Sequence, residues 1–124
     1  MTQAKRPVIE LGCPGHFIGA EDCLWRRHTQ VGTAFRVSTV GNWWPKDVKG
    51  QQPVGGEPDE KYETMVFPTH DAPDPHCEPD CGCRATANRG DPLVTRYAAT
   101  LGDAQRQHEA TVAEYVRLAR GANG

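Results

Sequence analysis

Cys23-Leu24-Trp25-Arg26-Arg27-His28-Thr29-Gln30-Val31, then Gly32-Thr33-Ala34, then Phe35-Arg36-Val37-Ser38-Thr39-Val40 form one continuous run in the first half of the chain. The last six residues alternate with a period of two. Phe35, Val37 and Thr39 share one face of an extended strand, and Arg36, Ser38 and Val40 share the other. β-branched and aromatic residues on both sides of a glycine turn predict a β-hairpin. Trp43-Trp44 carries its second strand on to Pro45, which ends the ladder because proline has no N–H to donate. Lys61-Tyr62-Glu63-Thr64-Met65-Val66-Phe67 alternates in the same way and predicts a third strand, stopped by Pro68.

The C-terminal part has a different period. Tyr97, Leu101, Ala104, His108, Val112, Tyr115 and Ala119 recur at three- and four-residue steps, the signature of one helix face. Asp91 can cap such a helix and Pro92 is tolerated in its first turn. Gly121 closes it, behind Arg117 and Arg120, whose charges suit a helix C-terminus. Gly102 is the weak point, costing about 1 kcal/mol against alanine, and Asp103 offers a second cap there. His108, on the apolar face, reads as a packed histidine. The expected fold class is α+β: a small antiparallel sheet (hairpin plus third strand), a long Pro/Gly/Cys-rich loop and a C-terminal amphipathic helix. The 124 residues are read as one domain, with a β-rich part at 8–67, a Cys/His loop at 68–92 and the helix at 93–120.

Composition sets the limits on function. Of 13 glycines and 10 prolines, more than half lie between Pro45 and Pro92, so no regular structure is expected from Thr69 to Pro92. A formal charge of −2 gives no basic field for nucleic acid or an anionic membrane. Mean hydropathy is −0.66, and no apolar run is long enough for a transmembrane helix. Near the N-terminus only Val8, Ile9 and Leu11 are strongly apolar, with Glu10 between them, which falls short of a secretory segment. These features predict a cytoplasmic protein with reduced thiols, and five cysteines do not make a closed disulfide set.

Two Cys/His clusters are candidate metal sites. In His76-Cys77-Glu78-Pro79-Asp80-Cys81-Gly82-Cys83, three thiols fall within seven residues, and His70 or His76 can supply a fourth ligand. Four such donors match the tetrahedral preference of zinc, and Gly82 allows a tight turn between two of them. A surface loop with free thiols is the plain alternative. Cys13, His16, Cys23 and His28 form the second cluster and are alternative ligands. Cys23 and His28 differ by an odd number on one strand, which sends them to opposite faces, so core packing is the better reading of Cys23. Trp43 and Trp44 are candidate partner-binding residues, because tryptophan is enriched at interface hot spots. Arg26, Arg27 and Arg36 are read as a solvated polar face. No Walker A loop, dinucleotide fingerprint, nucleophile elbow or His-Glu-x-x-His motif occurs, so no catalytic residue is assigned and the reading leans away from an enzyme.

Gly15-His16-Phe17-Ile18, Cys23, Arg27-His28-Thr29-Gln30-Val31-Gly32, Arg36-Val37-Ser38-Thr39-Val40-Gly41 and Tyr62-Glu63-Thr64-Met65-Val66-Phe67 occur in that order. Together they resemble a family of small uncharacterised bacteriophage and prophage proteins, across most of the chain. The resemblance implies a phage origin and a place in the host bacterial cytoplasm, and it transfers no catalytic residue. The function expected is a phage accessory protein that binds a host or anti-phage defence protein, with a structural zinc. One alternative is a small metal-dependent enzyme or nucleotide-binding protein using His16, Cys23 and His28. A virion component is another.

Overall fold

In the computed structural model, which describes residues 8–11, 22–45, 50–73 and 86–123, the hairpin forms as its alternation predicts. Strands β2 (Cys23–Val31) and β3 (Phe35–Trp43) pair antiparallel, from Val31 opposite Phe35 to Cys23 opposite Trp43. Gly32 makes the turn with φ 57°, a left-handed conformation that costs glycine little. β1 (Val8–Leu11) pairs with the outer edge of β2, and β4 (Tyr62–Pro73) pairs with β3 on its other side. The far edge of β4 is shared. β6 (Val94–Ala98) pairs with its first half and β5 (Thr86–Asn88) with its second, all antiparallel. α1 (Leu101–Asn123) lies across one face, touching β2, β3, β4 and β6. The fold is α+β, as the sequence predicts. No helix among the described residues is long and apolar enough to cross a membrane.

Three boundaries differ from expectation. Pro68 does not end the third strand, which runs on to Pro73. In an antiparallel strand the N–H and C=O of one residue point to the same side. Thr69 N donates to Ala34 O on the β3 side, whereas Pro68 O accepts from Arg89 N on the opposite side. The missing N–H of Pro68 therefore faces Arg89, between β5 and β6, and the β3–β4 ladder is spared. A second difference follows from the first: part of the expected irregular segment 68–92 is strand, as the end of β4 and as β5.

The third difference concerns the helix, expected over 93–120. Residues 94–98 are a strand and α1 starts at Leu101. β-branched Val94 and Thr95 and aromatic Tyr97 favour extended backbone. Thr100 supplies the cap instead of Asp91: its Oγ1 accepts from Asp103 N at 3.1 Å. Arg106 and that same Thr100 hydroxyl hold the Asp103 carboxyl below its ordinary range. At the other end α1 continues through Gly121 to Asn123. Gln107, in the second turn of the helix, donates from Nε2 to Tyr97 O at 3.0 Å.

The apolar core comes in three small pieces. Val31, Val37, Val66 and Tyr115 form one, with Phe35, Val94, Val112, Val116 and Ala119 against it. Tyr62, Ala98 and Ala104 form the second, beside Trp25. Trp25 and Tyr62 meet edge-on, 6.0 Å between ring centroids, across Gly41, the residue paired with both. A Cβ on Gly41 would sit 2.1 Å from Tyr62 Cδ2, so only glycine leaves room for that ring. Cys23 and Val40 form the third piece, with Trp43 and Val54.

Candidate functional site

The helix-facing side of the sheet is polar at its centre. Alternation aims Thr29, Thr39 and Thr64 at α1, where His108 descends between them. His108 Nε2 lies 2.8 Å from Thr29 Oγ1, and Nδ1 lies 2.8 Å from Thr39 Oγ1. Thr39 Oγ1 is in turn 2.7 Å from Thr64 Oγ1. All four side chains are buried, and His108 is fully so. Hydroxyls donate or accept by rotating, so the site satisfies either neutral tautomer of the imidazole. Ion pairs flank it: Arg27 with Glu109 at 3.1 Å, and Arg96 with Glu114 at 3.0 Å. The packed reading of His108 holds. Its hydrogen bonds orient the helix on the sheet.

The opposite face carries His28, Gln30 and Ser38, all buried. His28 Nδ1 is 2.7 Å from Ser38 Oγ. Gln30 Nε2 donates to Gly32 O, Phe35 O and Thr69 Oγ1, tying the hairpin turn to β4. Cys23 sits apart from His28. Five residues along one strand place their α-carbons about 16 Å apart, too far for one zinc ion with donor bonds of about 2.0–2.3 Å. Burial pushes the Cys23 thiol from 9.0 up to about 11, so it stays protonated and inert at neutral pH. Cys13 and His16 lie outside the described residues. The three arginines do not form a patch. Arg27 pairs with the helix, whereas Arg36 stacks 5.9 Å over the Phe67 ring on the other face.

Two places remain as candidates. At the open end of the hairpin, Trp43 is half-buried against Cys23, Val40 and Val54, while Trp44 is 47 % exposed and Leu24 65 % exposed. Trp44 N donates to Asp22 O at 3.1 Å, which continues the β2–β3 register past the strand end. Leu24 lies two residues along β2 from Asp22, so both exposed apolar side chains belong to this end of the hairpin. Trp44 was legible from the sequence, but Leu24 was not: its alternation is that of any strand residue.

The second place is the end of β4. His70 is exposed there, while His76, Cys77, Cys81 and Cys83 lie outside the described residues. Among the described residues, no group of three or more His, Cys, Asp or Glu side chains is placed to hold a metal. The β4–β5 ladder pairs Thr69 with Asn88 and Pro73 with Thr86, with a register shift between. His70, Asp71 and Ala72 thus stand opposite Ala87 alone, an irregularity in the ladder.

Comparison of the chain with known protein families, with curated proteins and with solved structures finds no match.

Proposed function

We propose that the chain is a small accessory protein of phage origin that works inside a bacterial host by binding a host or anti-phage defence protein. The observation that carries this reading is the exposed Leu24–Trp44 pair at the hairpin end. Single exposed apolar residues are ordinary on protein surfaces, but an exposed tryptophan at the same hairpin end as an exposed leucine supports an interface, because tryptophan is enriched at interface hot spots. The backbone of Trp44 is held by Asp22, and its neighbour Trp43 is bedded in the core. The ring is thus presented without a large ordering cost on binding. The test is affinity capture from host lysate with the wild type and with a Leu24→Ser/Trp44→Ala double variant of unchanged circular dichroism. One host protein retained by the wild type, lost with the variant and rebinding when purified supports the reading. Equal retention by both proteins, or no specific retention, overturns it.

The reading includes a structural zinc on Cys77, Cys81 and Cys83. Pairing of Pro73 with Thr86 supports it, since it closes the twelve-residue segment that contains all three thiols. Elemental analysis of chelator-free protein is expected to give about one zinc per chain, as for a four-ligand structural site. Substoichiometric zinc with freely titrating thiols overturns that part.

A further inference from the structure

We propose that residues 50–60 form a strap that lifts as a unit while the sheet stays folded, uncovering Cys23, Val40 and Trp43 beside the exposed Leu24 and Trp44. The opening stands on the geometry of the strap. Its effect on a partner, a larger apolar surface for the same host protein, rests on the reading above.

The strap lies where β3 runs past its neighbour. β4 starts at Tyr62, opposite Gly41, so the ladder on that side stops short of Trp43. Gln52 takes the next place with an isolated antiparallel bridge, its N donating to Trp43 O at 2.7 Å. Two residues on, Val54 packs with Trp43 against buried Cys23 and Val40. Cys23 and Trp43 adjoin Leu24 and Trp44 in the chain, so the strap covers an apolar part of the same hairpin end.

Its own bonds let it move in one piece. Gly55 N donates to Glu60 O at 2.9 Å, Gly56 N to Pro53 O at 3.2 Å and Glu60 N to Glu57 O at 2.9 Å. Glu57 N also donates to Glu60 Oε1. These bonds lie within the strap and survive its opening. Gly50, its first residue, has φ 82° and open space around it, which suits a hinge. A segment closed on itself, with its one valine only partly buried, opens at a lower free energy than the strands beneath it.

The closed position has no slack at Gly55. A Cβ there would stand 2.6 Å from Glu60 Cβ and 2.6 Å from Tyr97 Cε1. Gly55 has no left-handed φ, so alanine is opposed by space alone. A methyl at this position pushes the strap away from β6 and leaves the backbone of the sheet untouched.

The test is the rate at which iodoacetamide alkylates Cys23 at pH 8, read by mass spectrometry of the Cys23 peptide. It is measured in the full-length wild type, Gly55→Ala and Val54→Ser, all of unchanged circular dichroism, with urea kept well below the unfolding transition. Lifting the strap exposes little surface, so the slow wild-type rate is expected to stay flat with urea. Both variants should raise the rate about tenfold or more, Gly55→Ala by overpacking the closed strap, and should keep it flat. A rate that climbs steeply with urea overturns the strap, because Cys23 is then reached by unfolding of the sheet. Variant rates equal to the wild type also overturn it. The lysate capture described above is repeated with Gly55→Ala, which is expected to retain more of the host protein than the wild type does. Equal retention despite faster alkylation overturns the effect on the partner and leaves the strap. No host protein retained by any form overturns the underlying reading instead.

Discussion

His108 of the helix and Thr39 of the central strand, 69 positions apart in sequence, meet through Nδ1 and Oγ1 at 2.8 Å in a fully buried site. The contact lies between two apolar clusters, one around Tyr115 and one around Ala104. A buried interface with a polar centre has one good alignment, because any slip leaves hydroxyls or ring nitrogens unpaired.

Removing the imidazole tests this directly. His108→Ala opens a cavity and strands the hydroxyls of Thr29 and Thr39, for an expected loss of about 3 kcal/mol. Urea unfolding of variant and wild type measures it. A loss below about 1 kcal/mol, the range of an ordinary surface change, means that the network does not hold the helix.

Gly41 makes a second case, one of space rather than polarity. Gly41→Ala drives a methyl into the Tyr62 ring and against Lys61 O. The expected cost is about 1–3 kcal/mol, the usual range for overpacking. Near-ultraviolet circular dichroism should change along with the melting temperature, because the Trp25–Tyr62 contact is displaced. A variant as stable as the wild type contradicts the packing described.

Cys23 gives a prediction about pH. With its thiol pushed from 9.0 to about 11, the folded chain keeps a proton that the unfolded chain releases between those values. The unfolded state then binds fewer protons, so this group makes stability fall as pH rises from 9 to 11. Urea midpoints at pH 8 and pH 10 should drop more for the wild type than for Cys23→Ala. At pH 8 the Cys23 thiol should resist iodoacetamide in the folded protein and react once it is unfolded. Rapid labelling of native Cys23 at that pH refutes its burial.

Trp44 and Leu24 predict the opposite behaviour. Trp44→Ala and Leu24→Ser should each leave stability within about 0.5 kcal/mol, since both side chains face solvent. Thermal melts check this. A large loss in either variant assigns that residue to the core instead.

The hairpin was legible because its alternation and its glycine turn agree, and β3 follows it residue by residue. The helix face was legible from Ala104 onward for the same reason. The register before it was not. Tyr97 falls four residues before Leu101 and so mimics the helical period, while Asp91-Pro92 imitates a cap. The competing pattern, Val94, Arg96 and Ala98 toward the helix, holds only one strong hydrophobe. Strand continuation past Pro68 was hidden because alternation alone does not show which neighbour the missing donor faces. The threonines opposite His108 were an unused signal: Thr29, Thr39 and Thr64 stand at inward positions where valine is the simpler choice. Whether Trp44 or Trp43 is the exposed ring depends on Val54, from a different part of the chain.

The hydrogen bond from Gln107 to Tyr97 bears on how copies of this protein meet. Along β6 the backbone groups of Val94, Arg96 and Ala98 turn toward β4, so those of Thr95 and Tyr97 point outward. An exposed row of this kind is a template for pairing with a foreign chain. At Tyr97 the acceptor is already taken by the chain's own helix. Growth of the sheet by strand addition is thus obstructed along β6, which protects the protein on that side from fibre-like stacking.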